Sequence, residues 1–208
     1  QEEDSDRLRA AQVSLGALGV IHGLRVALRP SFRLHRRTWA EPLGSIIADA
    51  AARWERHRNF EFFYIPFSGW GMCIAHDETA AAPTERAPST DDEDLMKAKR
   101  LRDLTRWCTP LRRAILSRVV RGVTPEDVVG DSWRLLASER NVRFNEMEYH
   151  LPPENALDAL REVIEVVERE RRDVFFPIEV RQTAGDDAWL SPFNGGRRIS
   201  IAMHTHAP

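Results

Sequence analysis

Three short runs hold residue types that can do chemistry together. Over residues 175–183 the alternation of a strand puts Phe176, Ile178 and Val180 on one side and Glu179, Arg181 and Thr183 on the other. An acid and a base two residues apart on a strand are neighbours and shift each other's charge equilibria. A plain ion pair on an open sheet face is the structural alternative. Near the C-terminus Ile199, Ile201 and Met203 alternate with Ser200, Ala202, His204 and His206. Small residues beside two imidazoles mark a surface that something can approach closely, and two exposed histidines are the plainer reading. Histidines at i and i+2 can also ligate a metal, but Glu179 is the only third ligand nearby, so no metal is assigned. If these two strands pair, Glu179, Arg181, His204 and His206 merge into one polar patch. The third run places Phe144, Glu146, Glu148 and His150 on one side and Met147, Tyr149 and Leu151 on the other. Paired glutamates suit general acid–base work, or else form a solvated face.

The elements that must position these runs are read from periodicity. Residues 6–13 form a short helix with an acidic start, and a small-residue turn follows at residues 14–21. Leu24, Val26 and Leu28 alternate as a strand ending at Pro30. Residues 43–58 form a helix with Ile46, Ile47, Ala50 and Trp54 on one stripe. Residues 60–67 and 70–76 are strands of a hairpin turning at Ser68-Gly69. Residues 78–94, rich in Ala, Pro, Thr, Asp and Glu, read as a solvated, mobile loop. Residues 96–121 read as one basic helix whose Arg100, Arg102, Arg106, Arg112 and Arg113 either bind phosphate or form a solvated face beside the acidic loop. Residues 142–151 alternate as a strand. Residues 154–171 form an amphipathic helix on Ala156, Leu160, Val163 and Val167. After the strand at 175, residues 184–197 make a structured connection in which Asp186 and Asp187 can cap a turn. Residues 198–207 are the last strand. Hairpins alternating with helices predict the α+β class, an antiparallel sheet with packed helices.

Bulk properties narrow the function classes. With 42% hydrophobic and 30% charged residues the 208-residue chain has an ordinary globular balance. A formal net charge of -2 gives no reason to expect a nucleic-acid or anionic-membrane partner. No apolar run is long enough for a transmembrane helix, and no signal peptide stands at the start. Cys73 and Cys108 have no metal or redox spacing; two free thiols fit a reducing, cytoplasmic compartment of bacterial type. The chain begins at Gln1 and stops at Pro208 directly after a strand-like run, so a fragment of a longer protein is expected.

Several runs resemble a known family. Val13-Ser14-Leu15-Gly16-Ala17-Leu18-Gly19-Val20-Ile21 is similar to the turn that closes the FAD-binding domain of the aldonolactone oxidases, within the vanillyl-alcohol-oxidase flavoprotein superfamily. Pro30-Ser31-Phe32-Arg33-Leu34 resembles the exit from that domain. Phe144-Asn145-Glu146-Met147-Glu148-Tyr149 with Pro152 resembles the family's central strand. Pro177-Ile178-Glu179-Val180-Arg181, Asp186-Asp187, Leu190-Ser191-Pro192 and Ile201-Ala202-Met203-His204 resemble it most closely, whereas residues 78–140 match loosely.

The resemblance implies residues 1–34 as the end of an FAD-binding domain and residues 35–208 as a substrate-binding cap truncated at its C-terminus. It implies oxidation of a sugar-1,4-lactone or related polyol, with FAD taking a hydride and dioxygen or another acceptor reoxidising it. Glu179, Arg181 and His204 would be catalytic and touch substrate. His206, where the family carries another residue, would line the same pocket, and Gly19, Val20 and Ile21 would pack against the cofactor. The family's pyrophosphate-binding segment and its last flavin-site segment are missing from these residues. The expected partners are therefore the sugar substrate and those segments of the same polypeptide, and the fragment alone is expected to hold no FAD and to be inactive. A non-catalytic sugar- or protein-binding module on the same sheet is the competing reading.

Overall fold

A computed structural model describes residues 5–85, 91–137 and 141–206. The elements run α1 (Ser5–Ala11), β1 (Arg33–Pro42), α2 (Leu43–Arg56), β2 (Asn59–Ile65), β3 (Trp70–Thr79), α3 (Asp91–Thr105), α4 (Thr109–Arg121), β4 (Glu126–Asp131), α5 (Ser132–Leu136), β5 (Phe144–Leu151), α6 (Pro153–Glu170), β6 (Ile178–Thr183) and β7 (Arg198–His206). The strands form one seven-stranded sheet in the order β4-β1-β3-β2-β6-β7-β5. Every ladder is antiparallel. The architecture is α+β, as the alternation of hairpins and helices implies.

One face of the sheet is covered. Ile46, Ile47, Ala50 and Trp54 of α2 and Ala156, Leu160, Ile164 and Val167 of α6 pack on Phe60, Phe62, Tyr64, Cys73, Ala75, Ile178, Val180, Ile199 and Ile201. These are the helix stripes and strand faces that periodicity picks out, with Ile164 joining α6's stripe and Val163 at its edge. Each large aliphatic or aromatic side chain buried this way contributes about 1.5–3 kcal/mol. The other face carries the polar positions and is the one that matters for function.

Several elements differ from the sequence reading. Leu24, Val26 and Leu28 form no strand; they are 83%, 71% and 92% exposed, without a pairing partner among the described residues. The strand lies further on, in the charged run of β1. Its charges hide the period because they are neutralised across strands: His35 pairs with Asp127 at 2.6 Å, Arg36 with Glu126 at 2.5 Å and Arg37 with Asp77 at 3.1 Å. β4 and α5 escaped notice for the same reason, and their Val128 and Leu135 close a small second cluster on Leu34. Glu78 and Thr79 extend β3, and Asp91 to Asp94 open α3, so the expected loop is shorter at both ends. Its residues 86–90 lie outside the described residues. The basic helix is two helices, split before Pro110, which cannot supply the N–H an uninterrupted helix needs there. Arg112 does not face solvent. It is 3% exposed, its guanidinium lies 4.0 Å over the Phe67 ring, and it donates to Arg172 O at 2.7 Å and to Val174 O. Burial pulls it down to about 10, with Arg102 adding to the shift. Among the described residues no helix is long and apolar enough to cross a membrane.

Glu168, near the end of α6, ties three elements together. Its carboxylate accepts the Tyr64 hydroxyl, the Phe67 N–H at 2.9 Å and the Arg113 guanidinium. Phe67 needs this anchor, because its φ of 67° is a left-handed conformation that costs a non-glycine residue about 1–2 kcal/mol. Burial, then the adjacent Glu168, pushes the Tyr64 hydroxyl well above its ordinary range. Glu168→Ala is expected to lower unfolding free energy by about 2–4 kcal/mol, since it strands a buried hydroxyl and a backbone N–H at once. Glu168→Gln should cost less. Urea denaturation measures both, and a loss below 1 kcal/mol for the alanine variant would show that the latch is dispensable.

Candidate active site

Strand pairing brings the three chemistry-bearing runs onto the open face. β7 lies between β6 and β5, so two rows cross all three strands. Ala202 stands opposite both Glu179 and Glu148, and Ser200 stands opposite both Arg181 and His150. The middle residue of each row is small and the flanking ones are long. Arg181 therefore reaches over β7, donating to Glu179 Oε1 at 2.8 Å on its own strand and to Glu148 Oε1 at 2.9 Å two strands away. Ser200 and Ala202 are each 1% exposed beneath this bridge. In the second row the Ser200 hydroxyl and His150 Nδ1 lie 2.7 Å apart, and the His150 ring meets Phe193 edge-on at 4.6 Å.

His204 occupies the next position along the same face of β7. Its Nε2 stands 3.6 Å from Glu146 Oε1, its cross-strand partner. The ring is clamped by aromatics, edge-on to Phe144 at 5.1 Å and stacked with Phe176 at 6.0 Å. That contact corrects the expectation that Phe176 shares a face with Ile178 and Val180. Phe176 precedes β6, which starts at Ile178, so the two-residue alternation does not extend to it. The backbone of His206 pairs with Phe144, but its side chain lies outside the described residues. Among the described residues no group of three His, Cys, Asp or Glu is arranged to hold a metal.

The electrostatics of the cluster are asymmetric. Burial pushes the Glu179 carboxyl above its ordinary range; Arg181 and His204 oppose the shift, and Glu148 and Glu146 add to it. Burial works against the charge of Arg181, yet Glu179 and Glu148 on either side hold it above its ordinary range. The cluster thus contains one firmly cationic fork and one carboxyl that takes up a proton readily.

The connection between β6 and β7 borders the site through Phe193. Asp186 organises it, accepting Ala188 N–H at 3.0 Å and the Ser191 hydroxyl at 2.5 Å, as a turn cap does. Asp187 instead pairs with Arg9 of α1 at 3.2 Å. Gly185 is required: a Cβ there would come 2.5 Å from the Gly196 carbonyl carbon. Gly19, Val20 and Ile21 lie in a segment outside any helix or strand, with Val20 94% exposed. Sequence reasoning passed over Glu148, His150 and Ser200 as members of the cluster. Alternation had already set Glu148 and His150 on one side; what was missing was the pairing of β5 with β7.

Comparison with known proteins gives a consistent picture. The sequence model for D-arabinono-1,4-lactone oxidase matches residues 24–208. An L-gulono-1,4-lactone dehydrogenase of Mycobacterium tuberculosis is 32% identical over 212 residues, covering 98% of this chain and 49% of the relative. An alditol oxidase of a Streptomyces species is 28% identical over 217 residues, covering 95% and 45%. This chain therefore spans about half the length of the curated relatives it matches. Among solved structures, a cholesterol oxidase of Brevibacterium sterolicum superposes with a TM-score of 0.57 at 13% identity, over 84% of this chain and 42% of that one. That likeness is one of fold.

The raised Glu179 carboxyl has a measurable consequence. The folded state binds this proton more tightly than the unfolded chain does. Its contribution to stability is thus full below the unfolded value of roughly 4.3 and is lost as pH rises through the folded value. The stability difference between the parent chain and Glu179→Gln should fall with rising pH through that window and then level off. Denaturation at a series of pH values checks it, and a difference that rises with pH would contradict the assignment.

Proposed function

From its membership of the D-arabinono-1,4-lactone oxidase family, to which the chain belongs, we propose that it is the substrate-binding part of an FAD-dependent oxidoreductase acting on a sugar-1,4-lactone or related polyol. Dioxygen or another acceptor would receive the electrons. The observation that carries this reading is the Glu179–Arg181–Glu148 bridge on the open face. A fixed cationic fork beside a proton-accepting carboxyl suits a hydroxylated substrate: Arg181 grips oxygens and Glu179 takes the hydroxyl proton of the carbon being oxidised. His204 would complete the substrate surface from the last strand, and the family resemblance extends that role to His206.

The same face also fits a flavin ring. Beside the charged cluster it carries the half-buried apolar side chains Phe63, Met72 and Ile74, adjacent across β2 and β3. What FAD supplies when bound is an acceptor for the hydride. Arg181 would offset the negative charge that develops during that transfer. Residues 1–34 belong, in this reading, to the FAD-binding domain. Leu24, Val26 and Leu28 keep a strand's alternation while exposed, which supports a partner sheet elsewhere in the polypeptide. Gly19, Val20 and Ile21 would lie against the cofactor there.

Arg181→Ala, made in the flavin-containing protein, is expected to lower the rate of anaerobic flavin reduction by a sugar lactone on the order of 100-fold. Stability should fall by only about 1–2 kcal/mol, because Glu179 and Glu148 lose their shared partner but Glu179 can take up a proton instead. Lysine should rescue only part of the rate, lacking the fork that reaches two carboxylates at once. Near-normal reduction by Arg181→Ala would leave the bridge as a surface ion pair and favour a module that binds without catalysis.

A further inference from the structure

We propose that Glu146 is the outlet through which a proton taken from the substrate hydroxyl leaves the site, by way of His204. The inference rests on the functional reading above and asks what that reading leaves open. Oxidising a carbinol to a carbonyl breaks two bonds. The C–H electron pair would leave as hydride to the flavin that the proposed reading supplies, and the O–H proton would go to Glu179. That proton has to reach water before the next turnover, and Glu179 has a side chain only 13% exposed even with nothing bound.

The nearest imidazole along the open face is His204, close enough to Glu179 to act on its charge. His204 is two residues beyond Ala202, the cross-strand partner of Glu179, and points to the same side. Its side chain is 12% exposed and its ring is fixed by Phe144 and Phe176, so solvent meets it poorly. An imidazole can take a proton on one nitrogen and release it from the other. The group facing its Nε2 is Glu146, 3.6 Å away with a side chain 39% exposed, well placed to pass a proton to water. Among the described residues the charged groups on this part of the open face include Glu146 and Glu148 from β5, Glu179 and Arg181 from β6, and Glu61 of β2 opposite Arg181. Glu148 is committed to Arg181 at 2.9 Å, which leaves Glu146 as the carboxylate at the imidazole.

The test reads proton passage directly, without flavin or substrate. In the 208-residue chain labelled with nitrogen-15 at histidine, the exchange of the His204 ring N–H with water is measured by NMR. Glu146→Gln is expected to slow that exchange on the order of 10- to 100-fold, and Glu146→Asp to slow it less. Added formate should restore exchange in the Gln variant, which a merely structural effect would not allow. Unchanged Phe144 and Phe176 ring resonances verify that the sheet is intact. Exchange at the parent rate in Glu146→Gln, or slow exchange that formate does not restore, would overturn the outlet. A protein that oxidises no lactone would count against the functional reading instead.

Discussion

The four residue pairs that join β2 to β6 hold the molecule's two halves in one sheet. On one side of that seam lie β4, β1, β3 and β2; on the other lie β6, β7 and β5. Its register is fixed from beneath. Phe62 faces Val180 and Tyr64 faces Ile178, all four buried under the helices. Because side chains alternate with period two, a slip of one residue would drive Glu179 and Arg181 into that core and turn Ile178 and Val180 out to solvent. The cost of burying an unpaired charge rules this out. The candidate site thus borrows its precision from apolar packing on the opposite side of the sheet.

The open face obeys a second constraint. A sheet covered on one side only carries charges on the other, and each must be compensated sideways. On that side β1 pairs Arg36 with Glu126 of β4, and β6 makes the bridge to β5. The two solutions differ in what they leave available. The Arg36–Glu126 pair ties β1 to the edge strand β4. At Arg181 one base meets two acids, one of them more deeply buried. Burial raises the proton affinity of the surplus carboxylate even though Arg181 and His204 oppose it. An imbalance of this kind marks a place where a proton or a polar ligand is accommodated more often than a place that only stabilises.

Legibility from sequence followed the physics of each element. α2 and α6 were readable because their apolar stripes keep the helical period, and the β2–β3 hairpin because apolar alternation stops at Ser68-Gly69. The faces of β5, β6 and β7 were readable for the same reason. β1 and β4 were not, since their stability comes from cross-strand ion pairs that leave no apolar period to count. The segment carrying Leu24, Val26 and Leu28 shows the converse: alternation predicts the capacity to form a strand, and a strand also needs a neighbour. At the site, Glu179, Arg181 and His204 were visible as a pattern, but Glu148 became Arg181's second partner only through pairing between residues far apart in sequence. Arg112 was misread because its acceptors are backbone carbonyls, which no pattern of side chains reveals.

Ser200 and Ala202 connect these constraints to selectivity. Both are buried between long neighbours, and their small size is what lets Arg181 span β7 to Glu148. A larger residue at position 202 would separate Glu179 from Glu148 and break the row. The arrangement leaves a polar cluster on the open face, flanked by Phe63, Met72 and Ile74. Such a surface discriminates by hydrogen bonds more than by shape. A ligand offering hydroxyls at matching positions replaces the water on Arg181 and Glu179, whereas one lacking them leaves desolvated charges unpaired. Losses of that kind reach about 10⁴-fold where a site is built around a hydroxyl, far beyond what an extra methylene achieves in an apolar pocket. On the proposed reading, the open face would tell polyhydroxylated ligands from deoxygenated ones better than it sorts ligands by size.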